Sequence, residues 1–250
     1  MSKSSKFSIL LTAIVLLAFS THPAYAQQSD VRGQLFDTTT ATNSAALAIG
    51  SRASAGIGGI AFANSKFNGT AISTTTAVNS AALAIGNDSS ARLGGIEAKG
   101  GSDVAGKLTD TATVTNSAAL AIGSGANANI GGISVQGARV GGTITSTTTV
   151  IDSAAVAIGS GASARLGGVV VNDNAHVSGT LSDVTTIANS AAIAVGGGAD
   201  ASIGGILVSK SFNGSVVSHT TAANTVALSI GGAGWLRWLV PAHIGGVIIK

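Results

Sequence analysis

Residues 116–123 read NSAALAIG; the same octet opens at Asn43 and Asn79 and recurs as DSAAVAIG at Asp152, NSAAIAVG at Asn189 and NTVALSIG at Asn224. Successive copies lie 36, 37, 36, 37 and 35 residues apart. A period of this size marks supersecondary units that cannot bury an apolar face alone and therefore stack on their neighbours. The chain is expected to be an elongated repeat array. Small and β-branched residues repeated in this way describe a shape and a surface rather than a reaction.

Glycines supply the ruler. From Gly33, Gly69, Gly106, Gly142, Gly179 and Gly214 it is always 10 residues to the Asn or Asp that opens the octet, and 7 more to Gly50, Gly86, Gly123, Gly159, Gly196 and Gly231. Nine residues further come Gly59, Gly95, Gly132, Gly168 and Gly205, the second glycine of each IGGI, LGGI or LGGV. Only the return segment to the next landmark varies, between 9 and 11 residues, as an edge loop would.

Between landmarks the pattern has the period of two that strands require. In the fourth repeat Val140, Gly142, Ile144, Ser146, Thr148, Val150, Asp152, Ala154, Val156 and Ile158 share one parity, and Thr143, Thr145, Thr147 and Thr149 share the other. Thr, Val and Ile favour extended backbone, and the flanking glycines argue against helix for the Ala-rich octet. GSGANA at Gly123 and GSGASA at Gly159 read as turns, so each repeat offers two or three short strands. The predicted fold is all-β: a β-solenoid of about six stacked coils of 36–37 residues, a rod about 29 Å long at about 4.8 Å per coil. Asn43, Asn79, Asn116, Asp152, Asn189 and Asn224 would stand above one another at a bend. There they form a candidate structural ladder, whether by amide hydrogen bonds or by permitting the turn.

An export signal precedes the repeats. Lys3 and Lys6, an apolar run from Phe7 to Phe19 and the small residues of Ala24-Tyr25-Ala26 read as a signal peptide over residues 1–26. A short segment, 27–32, then leads into one repeat domain, 33–250. Removing Lys3 and Lys6 from the 13 basic residues leaves 11 against 10 acidic ones, so nucleic acid is not an expected partner. With charged residues at 9%, hydrophobic residues at 45% and no cysteine, stability must come from repetition and sheet hydrogen bonding, and the surface is prone to associate.

No catalytic constellation emerges. After residue 26 the histidines are His176, His219 and His243, in three different repeats, and the Asp173/His176 pair reads as a solvated loop. The Gly-Gly pairs lack the Lys-Ser/Thr ending of a phosphate loop. Neither enzyme activity, a cofactor, a metal nor a small-molecule substrate is expected. Lys66, Glu97, Lys99, Asp103, Lys107, Arg139, Asp173 and Lys210 gather at the variable edge as a solvated rim, and Arg92 and Arg165 hold equivalent places before LGG. The last coil, 231–250, is atypical. It carries Trp235, Arg237 and Trp238, a candidate anchoring or subunit-docking site.

At the level of organisation, these exported repeats rich in Gly, Ala, Ser, Thr and Asn, with an Asn at a fixed bend, resemble bacterial extracellular functional amyloids of the curli and Fap class and secreted β-solenoid fibre proteins. The repeat is longer than a curli hairpin repeat and no consensus motif is matched. The resemblance implies export through an outer-membrane pore, hence a Gram-negative cell, secretion to the extracellular space or cell surface, and self-assembly into fibres of a biofilm or cell-surface matrix. Two other readings remain open: a surface-binding module, because the Thr rows resemble the flat arrays of ice-binding solenoids, and a soluble adhesin.

Overall fold

The computed structural model describes residues 30–172, 175–208, 211–231 and 242–249. They form a β-solenoid of six coils. The first coil runs through β1 (Asp30–Thr42), β2 (Ala45–Ile49), β3 (Ser54–Ile57) and β4 (Ile60–Ala63), so each coil has four strands where two or three were expected. The long strands β1, β5 (Lys66–Val78), β9 (Asp103–Thr115), β13 (Arg139–Ile151), β17 (His176–Ala188) and β21 (Ser211–Ala223) stack in that order as one parallel sheet. A second sheet stacks β2, β6 (Ala81–Ile85), β10 (Ala118–Ile122), β14 (Ala154–Ile158), β18 (Ala191–Val195) and β22 (Val226–Ile230). The third contains β3, β7 (Ser90–Leu93), β11 (Asn127–Ile130), β15 (Ser163–Leu166), β19 (Asp200–Ile203) and β23 (Ala242–Ile244). The fourth contains β4, β8 (Ile96–Lys99), β12 (Ile133–Gln136), β16 (Val169–Asn172), β20 (Ile206–Val208) and β24 (Val247–Ile249).

Every strand pairs with its equivalent in the next coil, in register: Gly33 stands on Gly69, Gly69 on Gly106, and Gly142 on Gly106 and Gly179. The fixed distances along the sequence are therefore distances around one coil. Of the three glycine landmarks, the Gly-Gly corner between third and fourth strands does most to shape the coil, because it folds inward against the middle of the long strand. A Cβ on Gly131 would lie 2.8 Å from both Ala112 Cβ and Thr148 Cγ2. Only glycine lets the chain touch its opposite wall there.

This waist divides the interior into two cores. One is rich in alanine and lies between the C-terminal half of the long sheet and the second and third sheets; Val114, Ala119, Ala121, Ala126, Ala128 and Ile130 are its residues in the third coil. The other joins the N-terminal half of the long sheet to the fourth sheet through Val104, Leu108, Ile133 and Val135. Ala-lined walls can approach closely, whereas the second core needs Leu, Ile, Val and Phe to fill it.

The parity expected across the whole repeat breaks at the bend. Val140, Ile144, Ser146, Thr148 and Val150 do face inward, but past Asp152 it is Ala155 and Ala157 that are buried, while Ile158 turns outward at 41% exposure. Asp152 has φ 50°, and this single left-handed residue exchanges the two faces. The outer row of the second sheet is consequently apolar, running through Leu47, Leu83, Leu120, Val156, Ile193 and Leu228.

Stacking identical glycines imposes a steric rule that can be checked. Gly106 has φ 127°, and a Cβ there would fall 2.0 Å from the Gly69 carbonyl oxygen. Gly106→Ala is expected to cost about 3 kcal/mol or more through strain and a displaced coil. Gly56→Ala, where φ is ordinary and nothing lies within 4 Å, should be neutral. Thermal unfolding followed by circular dichroism measures both.

Candidate functional site

The bend positions Asn43, Asn79, Asn116, Asp152, Asn189 and Asn224 do stack, with φ between 48° and 52°. Their side chains are exposed, and Asn224 Nδ2 donates to Asn189 Oδ1 at 3.2 Å. The buried ladder is built one residue later, by serine. Ser80, Ser117 and Ser153 each give their backbone N–H to the hydroxyl of the serine one coil on, at 3.0, 3.1 and 3.1 Å. The Ser117, Ser153 and Ser190 hydroxyls in turn donate to the carbonyl two residues back, each at 2.7 Å. Asn thus sets the turn, which it tolerates better than other side chains, and Ser satisfies the backbone that the turn exposes.

The waist carries a second polar column. Reading up the long sheet, Asp37, Ser73, Asp110, Ser146, Asp183 and Ser218 stand one above another. The carboxylates meet the inward amides of the glycine corner: Gly59 N–H donates to Asp37 Oδ2 at 2.8 Å, Gly132 to Asp110 at 3.0 Å and Gly205 to Asp183 at 3.0 Å. Each interior Asp also feels the corner amide of the coil before it, Gly95 for Asp110 and Gly168 for Asp183. Alternation with Ser is what the stacking requires, since carboxylates on adjacent parallel strands would repel at about 4.8 Å.

These acids are deeply buried, and burial dominates their chemistry. It pushes the Asp110 carboxyl up to about 7, against the Gly132 and Gly95 amides and the Ser73 hydroxyl, which favour the charged form. Asp110 Oδ1 closes no hydrogen bond. Asp183 is raised less, to about 6, with the Thr185 hydroxyl 3.0 Å from both its oxygens.

A third feature is a polar groove outside the corner, between the third and fourth sheets. Arg92, Glu97, Asn129, Ser134, Arg165 and Val170 line it. Arg92 Nη1 lies 3.1 Å and Lys99 Nζ 3.3 Å from Glu97 Oε2. Burial raises the Glu97 carboxyl, but Arg92 and Lys99 outweigh it and hold it below the ordinary value. Arg165 Nη1 reaches Ser134 Oγ at 3.4 Å. Of the expected rim, Glu97 lines this groove and the part-exposed Lys99 pairs with it; Lys66, Asp103 and Arg139 head successive long strands as a column of alternating charge.

The outer face of the long sheet presents threonine. Thr40, Thr76, Thr113, Thr149, Thr186 and Thr221 form an unbroken column, whereas the neighbouring one runs from Thr38 through Thr74, Thr111 and Thr147 to Val184 and His219. His176 begins a long strand and His243 lies in the third sheet, so the histidines do not converge. Among the described residues no group of three or more His, Cys, Asp or Glu could hold a metal, and no helix is long and apolar enough to cross a membrane. Asp173, Lys210, Trp235, Arg237, Trp238 and the proposed signal peptide lie outside the described residues. The waist acids were not anticipated, although Asp37, Asp110 and Asp183 are spaced by 73 and 73 residues, as are Arg92 and Arg165. No protein-family model, curated protein or solved structure matches this chain.

Two expected outcomes follow from this geometry. Ser117→Ala leaves the Ser80 amide buried without an acceptor and should cost roughly 1–3 kcal/mol in chemical unfolding. Asn116→Gly, which keeps the turn and removes only an exposed side chain, should leave the unfolding midpoint nearly unchanged.

A further outcome concerns pH. A carboxyl raised from 3.8 to about 7 binds its proton more tightly in the fold than in the unfolded chain, so Asp110 contributes stability that is full below 3.8 and lost as pH rises through about 7. Asp183 acts in the same direction up to about 6, while the lowered Glu97 opposes it by losing its contribution as pH falls below 4.5. The melting temperature should therefore rise as pH is lowered from 8 to about 5. Asp110→Asn should flatten that rise.

Proposed function

We propose that this protein is an architectural subunit that assembles end to end into fibres outside the cell. The observation that carries the reading is that the solenoid has no closed end within its described residues. Leu35 in the first coil is 36% exposed although its equivalents Leu108, Ile144 and Leu181 are 0% exposed; at the other end Ile244 is 51% exposed while Ile203 and Leu166 are 0%. Among the described residues each end also presents a row of unpaired backbone groups whose best-matched partner is another coil of the same kind.

The signal-like segment supports export, and the resemblance to functional amyloids supports an outer-membrane route to a biofilm or cell-surface matrix. The chemistry of the site favours structure over catalysis. Its acids are buried against backbone amides, its serines are used in a ladder, and its groove cations are engaged by Glu97 and Ser134. In the same reading Trp235, Arg237 and Trp238 serve as an anchor or docking segment.

One observation favours a second reading, a surface-binding module. The unbroken Thr40-to-Thr221 column places hydroxyls on a flat face at about 4.8 Å across strands, with residues two apart along a strand at about 6.6 Å. Electron microscopy and sedimentation of the purified chain from residue 27 onward distinguish the two. Concentration-dependent filaments with the strand repeat along their axis are the expected result. A strictly monomeric rod that retards ice growth would establish the second reading instead.

A further inference from the structure

The waist column has a period of two coils, and its two ends are complementary. Asp110 and Asp183 each serve the corner amides of their own coil and of the coil before, and each receives help from the serine of the coil before, Ser73 and Ser146. The first coil breaks this rule: Asp37 accepts from Gly59 of its own coil, and among the described residues no coil precedes it. The sixth breaks it in the opposite sense. Among the described residues no seventh coil supplies an acid for the corner at Gly246 or for Ser218, which holds the place that Ser73 and Ser146 hold before Asp110 and Asp183.

We infer that the end-to-end contact is a head-to-tail junction in which the Asp37 carboxylate of one copy takes the Gly246 amide and the Ser218 hydroxyl of the preceding copy. This rests on the end-to-end reading above and specifies its partner, polarity and register. The junction would reproduce the interior arrangement, with Ser218 under Asp37 as Ser146 is under Asp183. One further column keeps the same phase across it. In the groove, Arg92, Arg165 and His243 occupy the even coils, with Gly56, Asn129 and Ser202 in the odd ones. Since the described residues form six coils, an even number, copies added head to tail continue the waist and groove alternations without a fault. Head-to-head contact would set Asp37 against Asp37 and reverse the strand direction.

The absence of cysteine makes the register measurable. In the inferred junction Thr221 of one copy stands beside Thr40 of the next, continuing their column, with Cα atoms about 4.8 Å apart and so within disulfide range. Full-length chains carrying Thr40→Cys and Thr221→Cys separately are mixed under oxidising conditions, and the linked pairs are identified by mass spectrometry. The expected product is the 40–221 disulfide. Dominant 40–40 or 221–221 links in assembled material would overturn the junction while leaving end-to-end assembly standing.

The acid is tested separately. Asp37→Ser should raise the critical concentration for assembly about tenfold, the cost of one lost charge-assisted contact, with the far-ultraviolet circular dichroism of the monomer retained. An unchanged critical concentration would overturn the role of Asp37. If that variant loses its fold, the disulfide register in chains that keep Asp37 still decides the junction. Chains that remain monomeric at every concentration would overturn both this inference and the fibre reading.

Discussion

Parallel, in-register stacking at about 4.8 Å is the constraint on which the rest of this structure depends. Each residue has its own equivalent as nearest neighbour above and below, so a residue type is acceptable only if it tolerates its own likeness at strand distance. Glycine, alanine, serine and threonine meet that condition easily: hydroxyls can be both donor and acceptor, and small apolar groups simply pack. A bare carboxylate does not. The composition of the chain, with 9% charged residues and 35 glycines, follows from this condition as much as from any functional demand.

The same condition explains where the charges go. They survive where the neighbouring coil offers something of another kind: Ser above and below Asp110, Asn129 between Arg92 and Arg165, and Asp103 between Lys66 and Arg139. Burial of an acid is costly, and at the waist two facing amides offset only part of that cost for Asp110, which is why its carboxyl moves toward neutrality. The acid does what no apolar residue could do in that position. It takes up the inward corner amide, which would otherwise be buried without a partner.

Much of this was legible before any coordinates. The 36–37-residue spacing, the invariant glycine distances and the alternation of the Thr-rich stretch specify a β-solenoid and the sense in which its coils superpose. Two things were not. The alternation was carried straight through Asp152, because a period-of-two pattern contains no sign of a left-handed residue that reverses the faces; the outward Leu and Ile row of the second sheet is the result. The Asp/Ser column was hidden for a different reason. A consensus drawn over single repeats averages two unlike coils, whereas the 73-residue recurrence of Asp37, Asp110 and Asp183, and the regular exchange of 36 and 37 in the early spacings, mark pairs.

Pairing also bears on how such a chain can change its length. Duplication of a single coil inside the rod would bring like residues together at the waist, Asp on Asp or Ser on Ser, and would interrupt the cation pattern of the groove. Duplication of 73 residues copies one Asp coil and one Ser coil together and leaves each column intact. Genes encoding rods of this construction are therefore expected to grow and shrink by two coils at a time, and length variants should fall into classes separated by whole pairs.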